Sequence, residues 1–283
     1  MRISAAMLAG LLLIMLFTGC GENDDIHVIS RESGSGTREA FIQLTKIKQD
    51  GCDNTTITSE ITSSALISIK SVEDDENAIG YTSMGTLKGN VKPVKIGGVS
   101  PTAENVADGS YPIARKFNIV FKEPLNYETA GFVKFILDKK GEKIIEEEGY
   151  ACSDNKFNEK NIEYQNKEHG KKRIVIAGST SIAPLMETLA EEYMKINPHI
   201  RIEIQQSGSS AGITSVTEGA CHLGMVSREL TEEERVKGIK SVTMAIDGIV
   251  VIVNPENPIK TLTLEDIRKI FMGEIKKWGL LEQ

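Results

Sequence analysis

Three short clusters of Gly, Ser and Thr, each set between an apolar strand-like segment and a helical pattern, constrain this chain more than any other feature. They are Ser33-Gly34-Ser35-Gly36-Thr37, Gly178-Ser179-Thr180-Ser181 and Ser207-Gly208-Ser209-Ser210-Ala211-Gly212. Strand, small-residue turn, helix is the repeating unit of α/β layers, and neither a helical bundle nor a β-sandwich produces it. Residues 27–30 read as a short strand before the first cluster, and 38–48 as a helix after it. Residues 78–83 and 117–121 read as strands, and 130–148 has helical spacing at Phe132, Phe135, Ile136, Ile144 and Ile145. A buried-type strand over 173–177 precedes the second cluster. Ile182, Leu185, Met186, Leu189 and Tyr193 then form an apolar helical stripe, with Pro184 tolerable in its first turn. Ile200, Ile202 and Ile204 alternate as a half-buried strand, 248–254 is another apolar strand, and 264–271 a helix with charged flanks.

The clusters share a chemistry. A helix N-terminus carries backbone N–H groups without intrahelical partners and a partial positive charge. Glycine lets a ligand approach the backbone closely, and hydroxyls add short donors, so such a terminus suits an oxyanion. Ser and Thr also cap helices everywhere, and any one cluster is explained that way. Three clusters, with Arg31 just upstream of one, shift the reading towards an anion, because a guanidinium presents a charged fork of donors. A surface ion pair is the alternative for Arg31. No cluster contains the Gly-Lys-Ser/Thr of a nucleotide-binding loop. Gly208-Ser209-Ser210-Ala211-Gly212 fits the G-x-S-x-G pattern of a serine hydrolase elbow, but the only histidine after it, His222, comes too early for that catalytic order.

At 283 residues the chain is long enough for two domains, and its net charge of −7 disfavours DNA or anionic lipid as a partner. Aromatic residues are only 5 %, too few for base stacking on single strands, so no nucleic acid is expected. Arg2 followed by the apolar stretch 5–17 reads as a signal peptide over residues 1–20. It ends in Leu16-Phe17-Thr18-Gly19-Cys20, which resembles a lipoprotein cleavage motif with Cys20 as the lipidated residue; an ordinary cleavage site is the alternative. Acyl chains would hold the protein at the outer face of the cell membrane. Cys52, Cys152 and Cys221 show no C-x-x-C spacing, and His27, His169, His199 and His222 are scattered, so neither metal nor cofactor is expected. Residues 152–172 are polar and rich in Asn and Lys, and read as a surface connection.

The chain resembles the phosphate-binding proteins of bacterial phosphate ABC importers, which have the type II periplasmic-binding fold. The matching residues are the second and third clusters, Leu223-Gly224-Met225-Val226-Ser227-Arg228-Glu229-Leu230, Asp247-Gly248-Ile249-Val250-Val251-Ile252-Val253-Asn254, Ile270-Phe271-Met272-Gly273-Glu274-Ile275 with Trp278, Ser30-Arg31-Glu32 with the first cluster and Arg38, and Ala78-Ile79-Gly80-Tyr81. Their order departs from the family's, where the Gly178-like segment comes first, so the resemblance implies a circularly permuted two-lobe α/β fold with a hinge. It implies chain crossings near 112–117 and 245–250, a continuous lobe over 116–247 and a split lobe built from 26–115 and 248–283. It also implies a non-enzymatic protein, expected to be a monomer, that closes on inorganic phosphate and delivers it to a permease. The implied ligands are Thr180, Ser181, Ser209 and Ser227 from one lobe and Arg31, Ser35, Gly36 and Thr37 from the other. Some family members carry Asp where this chain has Ser227, which donates or accepts and so reads a ligand proton less sharply. Asp247 is a candidate proton acceptor, or else a hinge residue. An oxyanion sensor without a transport role is the rival reading, and a serine hydrolase or phosphatase using Ser209 or Ser210 a further one.

Overall fold

The computed structural model describes residues 24–152 and 172–281. The expectations for the signal peptide, for Cys20 and for nearly all of 152–172 lie outside the described residues. The strands and helices follow in the order β1 (His27–Arg31), α1 (Gly36–Leu44), β2 (Lys48–Gln49), β3 (Cys52–Asp53), β4 (Glu60–Thr62), α2 (Ala65–Glu73), β5 (Ala78–Ser83), β6 (Lys92–Pro93), β7 (Lys95–Ile96), α3 (Ala103–Ala107) and β8 (Ala114–Phe121). Next come α4 (Tyr127–Ile136), α5 (Lys139–Glu147), β9 (Ala151–Cys152), β10 (Lys172–Gly178), α6 (Ala183–Ile196), β11 (Ile200–Gln206) and α7 (Ser209–Glu218). The chain ends with β12 (Leu223–Val226), α8 (Glu232–Arg235), β13 (Lys240–Val253), β14 (Thr261–Leu262) and α9 (Leu264–Phe271).

One sheet runs through the molecule in the order β11-β10-β12-β8-β13-β5-β1-β4. Its two ends are parallel: β10 pairs with β11 and β12, and β1 with β4 and β5. Its centre is antiparallel and depends on β13. Residues 240–248 of that strand pair with β8, and residues 249–253 pair with β5. The strand changes partner between Gly248 and Ile249, so one continuous backbone serves both ends of the sheet. The buried apolar side chains divide in the same way. Phe117, Phe132, Ile176, Leu185, Met186 and Met225 belong to one core cluster, and Phe41, Tyr81, Val251, Ile267, Phe271 and Trp278 to another.

Three sequence expectations need correcting. The helix expected over 38–48 is α1 at 36–44, since Lys46 has a φ of 58° and Lys48 already belongs to β2. The single helix over 130–148 is two helices, α4 and α5. Asp138 caps the second, its Oδ1 accepting from the amides of Lys140 at 2.8 Å and Gly141 at 3.2 Å. A Cβ on Gly141 would lie 2.1 Å from the carbonyl oxygen of Ile136, so glycine permits the close turn between them. The strand expected over 248–254 is the second half of a longer one, because the first half alternates polar and apolar residues and carries a register shift between Thr243 and Ala245. By contrast α9 spans the expected 264–271. Thr263 and Asp266 start it with a reciprocal capping box worth about 1 kcal/mol.

Candidate functional site

Parallel pairing brings the C-terminal ends of β10, β11 and β12 to one edge of the sheet, and the loops that leave them are the second cluster, the third cluster and Ser227. The first cluster leaves β1 in the other part of the sheet and meets them there. Thr37 Oγ1 lies 2.7 Å from Ser181 Oγ, Arg31 Nη2 donates to Thr180 Oγ1 at 3.2 Å, and the Ser210 amide donates to the Gly34 carbonyl at 3.4 Å. The structure therefore joins all three loops, although Thr180 follows Arg31 by 149 positions and Ser181 follows Thr37 by 144.

Helix capping does not account for them. Ser35 does cap α1, accepting from the Arg38 amide at 3.3 Å. In α6 the cap position is Ile182, and in α7 it is Gly208, neither with a side-chain cap. The hydroxyls of Thr180, Ser181 and Ser209 are thus used elsewhere. Ser209 Oγ accepts from the Ser227 amide at 3.1 Å and lies 3.2 Å from Ser227 Oγ, to which Ser179 Oγ donates at 2.9 Å. Ser179, Ser181, Ser209 and Ser227 are all buried. Gly36 closes over this group: a Cβ there would lie 2.3 Å from Ser209 Oγ and 2.4 Å from Ser227 Oγ.

Arg31 is the charged member. It is only 1 % exposed, where an unpaired guanidinium is costly. Glu32 offsets part of that cost, accepting from Nε and Nη2 at 2.8 Å each. The Arg31 amide donates to the Tyr81 hydroxyl at 3.3 Å, and Arg38 Nη1 donates to the Arg31 carbonyl at 2.7 Å. Tyr81 stacks on Phe41 at 4.0 Å, and its burial pushes its hydroxyl pKa up to about 12, so it stays a neutral prop. After all of these bonds Nη1 of Arg31 is buried with no hydrogen-bond partner. Buried polar groups are nearly always paired, so an orphaned cationic donor among hydroxyls marks a place for an anion.

Asp247 sits where β13 changes partner, fully buried. Its Oδ1 accepts from Ser83 Oγ at 2.8 Å and the Met84 amide at 3.0 Å, and its Oδ2 from Arg115 Nε at 3.0 Å and Nη2 at 2.9 Å. Those four donors match the acceptor capacity of a carboxylate, and none comes from the loop cluster. Burial raises the Asp247 pKa and lowers that of Arg115, while their pairing opposes both shifts. The elbow reading also lacks its base: the Ser210 hydroxyl accepts from Arg228, and His222 Nδ1 accepts from the Val175 amide at 3.0 Å.

The sequence reading brought Thr180, Ser181, Ser209, Ser227, Arg31, Ser35, Gly36 and Thr37 forward, and the structure gathers them. It missed Glu32, Ser179, Tyr81 as the prop under Arg31, and Arg115. Glu32 and Ser179 were detectable as neighbours of cluster residues, whereas Arg115 carries no local signal.

Comparison with known proteins shows the family. A model of the PBP superfamily domain matches residues 13–140 and 165–280. The phosphate-binding protein PstS 2 of Streptococcus agalactiae serotype V is 40 % identical over 293 residues, covering 99 % of this chain and 98 % of that protein. PstS 2 of Streptococcus pneumoniae serotype 4 is 42 % identical over 264 residues, covering 91 % of this chain and 88 % of that protein. A crystal structure of the phosphate-binding protein of a phosphate ABC transporter from Streptococcus pneumoniae TIGR4 superposes with a TM-score of 0.71 at 40 % identity, covering 91 % of this chain and 100 % of that one. A nearly full-length match at this identity places the chain in the PBP superfamily and, within it, in the family of phosphate-binding proteins of phosphate ABC transporters, which are solute-binding proteins and not enzymes.

Proposed function

We propose that the protein captures inorganic phosphate between its three Gly/Ser/Thr loops and delivers it to the permease of an ABC importer. The observation that carries this reading is the buried, unpartnered Nη1 of Arg31 beside Thr180. Arg31 supplies the charge, and Ser35, Gly36 and Thr37 the start of α1. Thr180, Ser181, Ser209 and Ser227 supply hydroxyls and loop amides from the facing side. Ser227 serves either as donor or as acceptor for a protonated phosphate oxygen, and Asp247, its oxygens already filled, acts at the crossing and not on the ligand. The lobes are 116–247 and the pair 26–115 with 248–283, turning about β8 and β13. In this reading the chain is a permuted version of the usual order, works as a monomer outside the cytoplasm, and is held to the cell membrane by lipid on Cys20.

Titration calorimetry tests the reading on the chain from Gly21 onward, unfolded and refolded to strip carried-over ligand. Saturable one-to-one binding of phosphate at neutral pH is expected, with sulfate competing weakly because Ser227 stands where an Asp would repel it. Absence of binding heat with phosphate would overturn the proposal.

A further inference from the structure

Beyond the loop cluster, a buried ion pair lies between the two crossing strands. Arg115 and Asp247 face one another directly in the β8–β13 register, 5 % and 0 % exposed. Together the two side chains reach both parts of the sheet. Asp247 takes Ser83 and Met84 at the end of β5. Arg115 spends Nε and Nη2 on Asp247 and turns Nη1 to the carbonyl oxygen of Ser227 at 3.3 Å. Its guanidinium rests over the Phe117 ring, 5.2 Å from the centroid.

The Ser227 contact matters because of where the β-ladder ends. β12 pairs with β8 through Val226, opposite Asn118. Past Val226, side chains of β8 take over from its backbone: Arg115 holds the Ser227 carbonyl and Asn118 Nδ2 holds the Arg228 carbonyl at 2.9 Å. The Ser227 hydroxyl and amide, in turn, fix Ser209 and Ser179. We infer that Arg115, held by Asp247, is a positioning residue for ligand capture: it fixes Ser227 against the strand crossing, so that the hydroxyl group of the site is set only when the crossing has its closed geometry. This rests on the phosphate reading for its ligand, though not for its geometry. A buried ion pair is weak evidence of stabilisation in itself, since neutral replacements often cost little. Its placement on Ser227 gives it a separate purpose.

Two variants test this. Arg115→Gln/Asp247→Asn keeps a neutral pair and the bonds from Ser83 and Met84, while losing the reach to Ser227. Arg115→Lys keeps the charge opposite Asp247 and loses the fork. Amide hydrogen exchange without ligand is read at Ser227 and Arg228, with the β10–β11 ladder as internal reference, and phosphate affinity is then titrated. At least one folded variant is expected to exchange about tenfold faster at Ser227, with the reference unchanged, and to bind phosphate about tenfold more weakly. Exchange and affinity within twofold of the parent in every variant that folds would overturn the inference, as would faster exchange spread evenly over the molecule. A parent that binds no phosphate defeats the proposed function, and the exchange measurement still decides the role of Arg115.

Discussion

Gly36→Ala is the sharpest probe of the site, because the methyl group it adds has only one place to go. Gly36 is the first residue of α1, and its backbone conformation accepts any L-residue, so the helix itself is not strained. The added Cβ would lie 2.3 Å from Ser209 Oγ, 2.4 Å from Ser227 Oγ and 3.1 Å from Ser209 Cβ. Both hydroxyls belong to short buried side chains bonded to one another, so neither swings away without losing a partner. Overpacking of this kind costs about 1–3 kcal/mol. The cost falls on the arrangement in which the first loop meets the third, and the separate helix–sheet cores do not feel it. With about 1.4 kcal/mol per tenfold, phosphate binding should weaken by about 5- to 150-fold. The melting temperature without ligand should hold or rise slightly, since alanine is the better helix former. Calorimetric titration and a thermal melt on the same sample read the two effects separately. Phosphate affinity within twofold of the parent would refute the claim that Gly36 closes against Ser209 and Ser227 in the bound state.

Other perturbations separate the remaining parts of the site. Arg31→Lys removes the fork that spans Glu32, Thr180 and the unpartnered position. Losing one charge-assisted bond of about 1.5–3 kcal/mol should weaken phosphate about 10- to 150-fold in calorimetry. Tyr81→Phe removes the hydroxyl that meets Ser30 and the Arg31 amide; chemical denaturation should show a loss of about 0.5–1.5 kcal/mol, with affinity falling a few-fold as Arg31 loosens. Burial lowers the His222 pKa, and Nδ1 accepts from the Val175 amide, a bond made only while that nitrogen is unprotonated, so the folded protein resists protonating it. The unfolded chain then binds the proton more readily, and stability falls as pH drops below about 6.5. Asparagine keeps an acceptor for Val175, so the difference between urea midpoints at pH 7.5 and 5.5 should shrink in His222→Asn, and an unchanged difference would count against this source of the pH dependence.

The parts of this molecule that were legible in its sequence are those set by local chemistry. Ser35, Thr180 and Ser209 sit in strand-to-helix turns whose composition announces both the turn and its donors. The apolar stripe from Ile182 to Tyr193 and the charged flanks of α9 give the right helices for the same reason. Asp138 was missed as a helix start because the apolar spacing at Phe135, Ile136, Ile144 and Ile145 continues across the break in phase. The first half of β13 was missed because Ser241 and Thr243 interrupt its apolar character while facing Val120 and Asn118. The pairing of Arg115 with Asp247 has no local signature at all: it follows from a strand register set over a separation of 132 residues. The same holds for the setting of Arg31, whose Nη2 meets Thr180 from a segment 149 residues away.

The double service of β13 bears on when the molecule can form during synthesis. Its partners β5 and β8 are made more than a hundred residues earlier, and neither has its central neighbour until residues 240–253 exist. Pairings so distant in sequence are slow to form and leave earlier strands without their edge partners. The opening of the described chain waits longer still, since the Ile26 amide bonds the Lys276 carbonyl and Asp25 bridges to Lys277. A ribosome therefore emits more than four-fifths of this chain before β13 exists, and the residues from Lys240 onward act as the fastener for what precedes them.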